Sequence, residues 1–297
     1  MKPETTSHSA VAPALAVQPL RACHTPDPDD AFAWWAIATG RVAIEGCAFG
    51  VSARPIQQIN EACLRGEIDI AAISSAAYPL MAEDYAILAS GASVGRGYGP
   101  ALATRDLAHP RDILGGAVAV PGDLTTGALL LRLFFPGVQT VSMPFDAIAP
   151  ALVRGQIAAG VLIHEELLNW EAKGLRRLLC LGQEWQRQTG LPLPVGLNVV
   201  RRDLGDSRMR AIARAVHQSM LEADGHPDLA TAHAMGYSIQ AREGLGEEFI
   251  RMFANEDTLC LDSACRRALR VLFDWAHTAG LTPPVPHLEF ISAPGRA

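Results

Sequence analysis

Two stretches of the chain, 89 positions apart, follow one pattern. Residues 59–68 read INEACLRGEI and residues 148–157 read IAPALVRGQI. Both fit Ile-x-x-Ala-x-(Leu/Val)-Arg-Gly-(Glu/Gln)-Ile: a helix closed by Arg-Gly that leads into an apolar strand. Short connections of this kind are common, so the match admits coincidence as well as a true duplication of an α/β lobe. Under duplication, the strand ends Ser74–Ser75 and Ile163–His164 are equivalent, and His164 falls on Ser75 at the same offset. Ligands of open α/β sheets bind outside the carboxyl ends of strands. The two strand ends would then face each other across a cleft.

The rest of the chain carries the same alternation of strand-length apolar runs and helical patterns, which indicates an α/β fold with largely parallel strands. Strands are expected at Leu20–Thr25, Ala48–Ala53 and Ile68–Ile73, with helices through Trp34, Trp35 and Ile37 and through Ile56, Ile59 and Cys63. Gly99–Thr104 and Gly196–Arg201 look like crossings between lobes. The C-terminal part is mostly helical: Ser207–Ala223, His226–Met235, Gly246–Asn255 and Asp262–Ala279. We therefore expect a disordered leader (1–18), a discontinuous first lobe (19–102 and 199–297) and a second lobe (103–198).

Composition narrows the partners. A net charge of −6 and the absence of any Lys/Arg run longer than a pair argue against nucleic acid. No apolar run approaches the roughly 18–20 residues that span a bilayer. VAPALAVQPL is short, broken by Pro13 and poorly charged upstream, so a secretory signal is not expected. The six cysteines include no CxxC pair, as in a protein of a reducing compartment. A cytoplasmic protein without membrane or nucleic-acid partners is expected; the sequence carries no signal of its oligomeric state.

Three segments bear on chemistry. In VPGDLTTGALLLRLFF (120–135) a strand turns through Pro-Gly into a helix starting near Thr125. Its free amides and dipole suit an anion, unless the threonines only cap. HTPDPDD (24–30) begins like a calcium loop, but Phe32 stands where glycine is required and no closing glutamate follows, so no metal site is expected. It either complements a helix N-terminus or borders the cleft and binds hydroxyls. GASVGRGYGP (91–100) is neither GxGxxG nor a P-loop. In VLIHEE (161–166), His164 has the side chain best suited to proton transfer near neutral pH, although a lone histidine at a strand end is more often structural.

Taken together, TPDPDDAF (25–32), LRGEIDIAAISSAAYP (64–79), SGASVGRGYGP (90–100), AVPGDLTTG (119–127), GVLIHE (160–165), TGLPLPVGLN (189–198) and RRDLG (201–205) resemble the 1,4-dihydroxy-6-naphthoate synthase family of the futalosine route to menaquinone. The likeness runs from about residue 20 to 283. It implies a two-lobed fold like that of type II periplasmic solute-binding proteins. It also implies a carbon–carbon lyase acting on cyclic de-hypoxanthine futalosine without metal or organic cofactor. The histidine of the family motif, here His164, is the implied proton acceptor. Substrate contacts are implied at Ala72, Ile73 and Ser74 and at Thr126 and Gly127. Beside them, Thr125 at the helix start is expected to help bind the substrate carboxylate. Two rival readings share the fold: a non-catalytic solute-binding protein for a small carboxylate, and the sister chorismate dehydratase. The PDPDD and LPLPVGLN elements favour the naphthoate synthase.

Overall fold

The computed structural model describes residues 19–44, 47–237 and 244–293; the expected leader lies outside them. The first half contains β1 (Leu20–His24), α1 (Pro28–Ala38), β2 (Phe49–Ala53), α2 (Ile56–Leu64), β3 (Ile70–Ser74), β4 (Tyr85–Leu88), β5 (Ser93–Gly95) and β6 (Ala101–Thr104). There follow β7 (Ala117–Val120), α3 (Thr126–Phe134), β8 (Gln139–Ser142), α4 (Phe145–Val153), β9 (Ala159–Leu162), α5 (Glu166–Asn169), β10 (Arg176–Cys180), α6 (Leu181–Thr189) and β11 (Leu193–Arg201). The chain closes with α7 (Asp206–Gly225), α8 (Pro227–Met235), α9 (Leu245–Phe253), α10 (Glu256–Leu259), α11 (Ser263–Thr278) and β12 (Phe290–Ile291).

The duplicated pattern corresponds to duplicated structure. Helix α4 begins and ends 89 positions after α2, and β9 begins 89 positions after β3 (145 − 56, 153 − 64 and 159 − 70). Each helix is preceded by a proline at its N-cap, Pro55 or Pro144. Each is followed by a glycine at φ 67°, Gly66 or Gly155, whose amide closes the last turn. This left-handed conformation is accessible to glycine at little cost. The pairing is duplicated too: β1 lies parallel between β2 and β3, and β7 lies parallel between β8 and β9.

Each crossing strand completes the opposite sheet. β6 leaves the first unit and pairs antiparallel with β9 and β10, in a sheet ordered β10-β6-β9-β7-β8. β11 returns and pairs antiparallel with β3, β4 and β5, in a sheet ordered β12-β4-β11-β3-β1-β2. Gly196 of β11 lies opposite Ser74 and Ala101 of β6 lies opposite Leu162, so both crossings run beside the carboxyl ends of β3 and β9. β3 starts two residues later than the apolar run suggests. The Asp69 backbone still donates to the Arg21 carbonyl and accepts from the Arg201 amide (2.9 Å each), while its carboxylate binds the Arg21 amide and guanidinium (2.8 and 2.7 Å).

Helix α1 is buried along almost its whole length, with Phe32, Trp34, Trp35 and Ile37 packed on α7 and α8. Burying side chains of this size stabilises by about 1.5–3 kcal/mol each, which fixes the turn preceding α1. Replacing Gly66 or Gly155 by alanine forces a side chain into left-handed backbone and costs about 1–2 kcal/mol each. Urea melts of both variants should show this loss with the denaturant slope unchanged.

Candidate functional site

The carboxyl ends of β1, β3 and β9, the start of α3 and the crossing strand β11 surround one cleft, the place where open α/β sheets bind small molecules. All the residues singled out from the sequence line it: Ala72, Ile73 and Ser74 from β3, Thr125, Thr126 and Gly127 at the start of α3, and His164 beyond β9. Ser75, the repeat equivalent of His164, is fully buried and is not part of the lining.

His164 reaches across the cleft. Its Nδ1 lies 2.5 Å from Oδ2 of Asp27, in the turn between β1 and α1. A carboxylate accepts hydrogen bonds only, so this contact places a proton on Nδ1, and in the neutral ring the lone pair is then on Nε2. Nε2 is buried and has no hydrogen-bond partner among the described residues. The Phe145 ring meets the imidazole edge-on at 4.6 Å, and His164 itself has φ 60°. Histidine is among the residues that tolerate this region, at about 1–3 kcal/mol of strain. The backbone bend turns the chain directly from β9 into α5.

Asp27 belongs to an acidic turn. Thr25 contacts Asp27 and Asp30 through its hydroxyl (2.8 and 2.6 Å), and the Thr25 amide donates to Asp30 (3.1 Å). Burial pushes the Asp30 carboxyl up from 3.8 to about 6, against the Thr25 hydrogen bonds that lower it. Asp29 is raised well above the usual carboxylate range, first by burial and then by the charges of Asp30 and Asp27. Ser93 of β5 donates to Asp29 at 3.0 Å. No Lys or Arg side chain lines the cleft among the described residues.

The opposite end of the cleft presents donors. The amides of Thr126 and Gly127, in the first turn of α3, make no hydrogen bond among the described residues. The threonine hydroxyls are already engaged. Thr125 donates to the Gly122 carbonyl (2.7 Å) and caps Ala128; Thr126 donates to the Val195 carbonyl (2.6 Å) and accepts from the Ala76 amide (3.2 Å). Ser74 accepts from Asn60 Nδ2 (3.2 Å), leaving its own proton to donate. A side chain at Gly127 would come within 2.9 Å of Val161 and 3.2 Å of Pro100, so this glycine is required by packing. Phe249 and Phe253 of α9, with Leu167 and Ile163, make the remaining wall apolar.

Of the two readings of HTPDPDD, the structure has the turn bordering the cleft, with Asp27, Asp29 and Asp30 in its lining. Sequence reading missed Ser93 as a wall residue and Phe145 as the aromatic neighbour of the histidine; the 89-residue offset places Phe145 on Ile56, which lines the cleft. Away from the cleft, Asp257, Asp262 and Cys265 lie close enough to share a cation. The Arg96 guanidinium already binds Asp257 twice (2.7 and 2.6 Å) and Asp262 (3.2 Å), so a cation's place beside both carboxylates is taken by this side chain.

A family model described as menaquinone biosynthesis matches residues 20–278. The chain is 34% identical over 275 residues to a Streptomyces coelicolor protein named 1,4-dihydroxy-6-naphtoate synthase, covering 91% of this chain and 96% of that one. It is 32% identical over 276 residues to a Thermus thermophilus protein of the same name, covering 93% and 100%. A solved structure from Archaeoglobus fulgidus superposes with a TM-score of 0.84 at 36% identity, covering 88% of this chain and 98% of that one. A Candida albicans gene product described as having the generic periplasmic binding protein fold superposes at 0.68 with 12% identity, covering 91% and 92%. The fold is thus a periplasmic-binding-protein-like α/β fold with two lobes around a cleft.

The raised Asp30 carboxyl has a thermodynamic consequence. Its protonated form is favoured on folding, so the stability it contributes is fully present below 3.8 and is lost as pH rises through about 6. The stability difference between Asp30→Asn and the parent protein should move in favour of the variant across that window and level off above it. Urea unfolding at a series of pH values checks this.

Proposed function

The chain belongs to the menaquinone biosynthesis family, and on that premise we propose that it is a 1,4-dihydroxy-6-naphthoate synthase acting on cyclic de-hypoxanthine futalosine. The observation that carries this reading is the His164–Asp27 contact, which leaves a buried Nε2 without a partner among the described residues, in the cleft between the lobes. A solute-binding site has no need of an imidazole whose second nitrogen is held by a carboxylate. A general base does, because the partner selects the tautomer and fixes the ring.

The substrate carboxylate binds the amides of Thr126 and Gly127 at the helix start, with the Ser74 hydroxyl as a further donor. The helix dipole and these donors supply the positive potential that a charged side chain would otherwise provide. The sugar-derived portion lies toward the acidic turn. His164 Nε2 takes a proton from a hydroxyl there, a carbon–carbon bond breaks, and the fused ring system becomes aromatic. Contacts between the lobes, including Leu124 N to Gln57 Oε1 (3.1 Å) and Ala76 N to Thr126 Oγ1 (3.2 Å), hold the two walls together around this step.

The test is incubation of purified protein with cyclic de-hypoxanthine futalosine, following naphthoate by mass. Turnover is expected; tight binding without turnover would favour a solute-binding protein. His164→Ala should lower kcat by about 10²–10⁴-fold while the melting temperature holds, and a loss below about tenfold counts against the base. Asp27→Asn should lower kcat by about 10²-fold with KM within about threefold, because it disturbs the ring's tautomer and not the carboxylate site.

A further inference from the structure

His164 accounts for one proton, and the cleft contains a second group suited to move another. Asp29 lines the cleft at 6% exposure, two residues from the carboxylate that holds His164. Its hydrogen-bond donors are the Ser93 hydroxyl (3.0 Å) and the Asp30 amide, neither of them cationic. Asp27 is paired with the imidazole, and Asp30 is served by the amide and hydroxyl of Thr25. Among the described residues, the groups acting on Asp29 are the two carboxylates of its own turn and the Ser93 hydroxyl of β5; the imidazole beyond β9, bound to Asp27, and the apolar Phe249 and Phe253 of α9 line the same cleft. Three carboxylates in one buried turn, facing a single imidazole, cannot all ionise. Asp29 and Asp30 each accept from one amide and one hydroxyl, but the imidazole favours the charged form of Asp30, whereas both carboxylate neighbours of Asp29 oppose its ionisation; Asp29 is the one that keeps its proton.

We propose that Asp29 is the catalytic acid of the site, entering the reaction as a neutral carboxyl group and protonating a substrate carbonyl oxygen while His164 deprotonates a hydroxyl. This rests on the lyase reading above. The hydroxyl O–H breaks and its proton goes to His164 Nε2. The hydroxyl oxygen forms a carbonyl as the adjoining carbon–carbon bond breaks. The electron pair of that bond moves onto the oxygen of a conjugated carbonyl, which takes the Asp29 proton and becomes a ring hydroxyl. His164 gains one proton and Asp29 loses one, so the charge of the site is unchanged and no oxidant or reductant is needed. The two groups re-equilibrate through solvent when the lobes part. Burial among like charges is the arrangement that keeps a carboxyl neutral at working pH, and here burial is the largest cause of the upward shift at Asp29.

The test has two readouts. Infrared spectra of the whole protein near neutral pH should contain a protonated-carboxyl band that is missing from Asp29→Asn and that fades as pH rises. No such band in the parent protein overturns the proposal, whatever the substrate. In kinetics, Asp29→Asn should cost at least about tenfold in kcat with KM within about threefold, and should abolish the alkaline limb of the pH–rate profile. A variant with unchanged kcat and limb makes Asp29 structural and overturns the proposal while leaving the synthase reading intact. A parent protein that forms no naphthoate sinks the synthase reading and this reaction with it. If Asp29→Asn does not fold, Ser93→Ala substitutes: loss of the donor that favours the charged form should move both the band's disappearance and the alkaline limb to higher pH. A limb that stays in place then overturns the proposal.

Discussion

One contact organises the site: the close approach of Asp27 of the first lobe and His164 of the second. It exists only because two turns, each at the carboxyl end of a central parallel strand, are brought together by paired lobes. It does three things at once. It fixes which ring nitrogen holds the proton, it holds the imidazole in a strained backbone turn, and it ties the two walls together beside the ligand space. Much of the fold can be understood as support for that contact. The buried helix α1 anchors the acidic turn, and α4 with Phe145 backs the imidazole.

The repeat shows how the two walls came to differ. The same helix–glycine–strand unit delivers Ser75 in one lobe and His164 in the other. Ser75 opens a 3₁₀ turn and disappears into the interior, whereas His164 adopts left-handed backbone and stays at the surface of the cleft. Equivalent scaffolding therefore carries a buried serine on one side and a cleft-lining imidazole on the other. What reaches the cleft is set by the last residue of the unit, not by the unit itself.

The parts legible in the sequence are those set by local rules. Helix stops at Arg-Gly, apolar strands, crossing segments and the position of His164 at a strand end all follow from short-range patterning. The partner of that histidine is different: Asp27 and His164 are 137 positions apart (164 − 27), and their contact depends on how the lobes meet. The same holds for Ser93, whose glycine-rich segment reads as a turn and only in three dimensions is seen to reach Asp29. At Thr125 and Thr126 the residues were visible but their allegiance was not. The hydroxyls serve Gly122, Ala128, Val195 and Ala76, the Thr125 amide serves Gly122, and the amides of Thr126 and Gly127 are what remain for a ligand.

The lining of the cleft, with carboxyls at one end, amides at the other and no guanidinium or ammonium among the described residues, has an effect beyond catalysis. Attraction between a mobile anion and a full positive charge weakens steeply as dissolved ions accumulate. Short-range donation from fixed peptide groups inside a closed space is far less exposed to that weakening. A molecule captured this way is held by fit and dipoles, so its affinity should be nearly indifferent to the ionic strength around the protein.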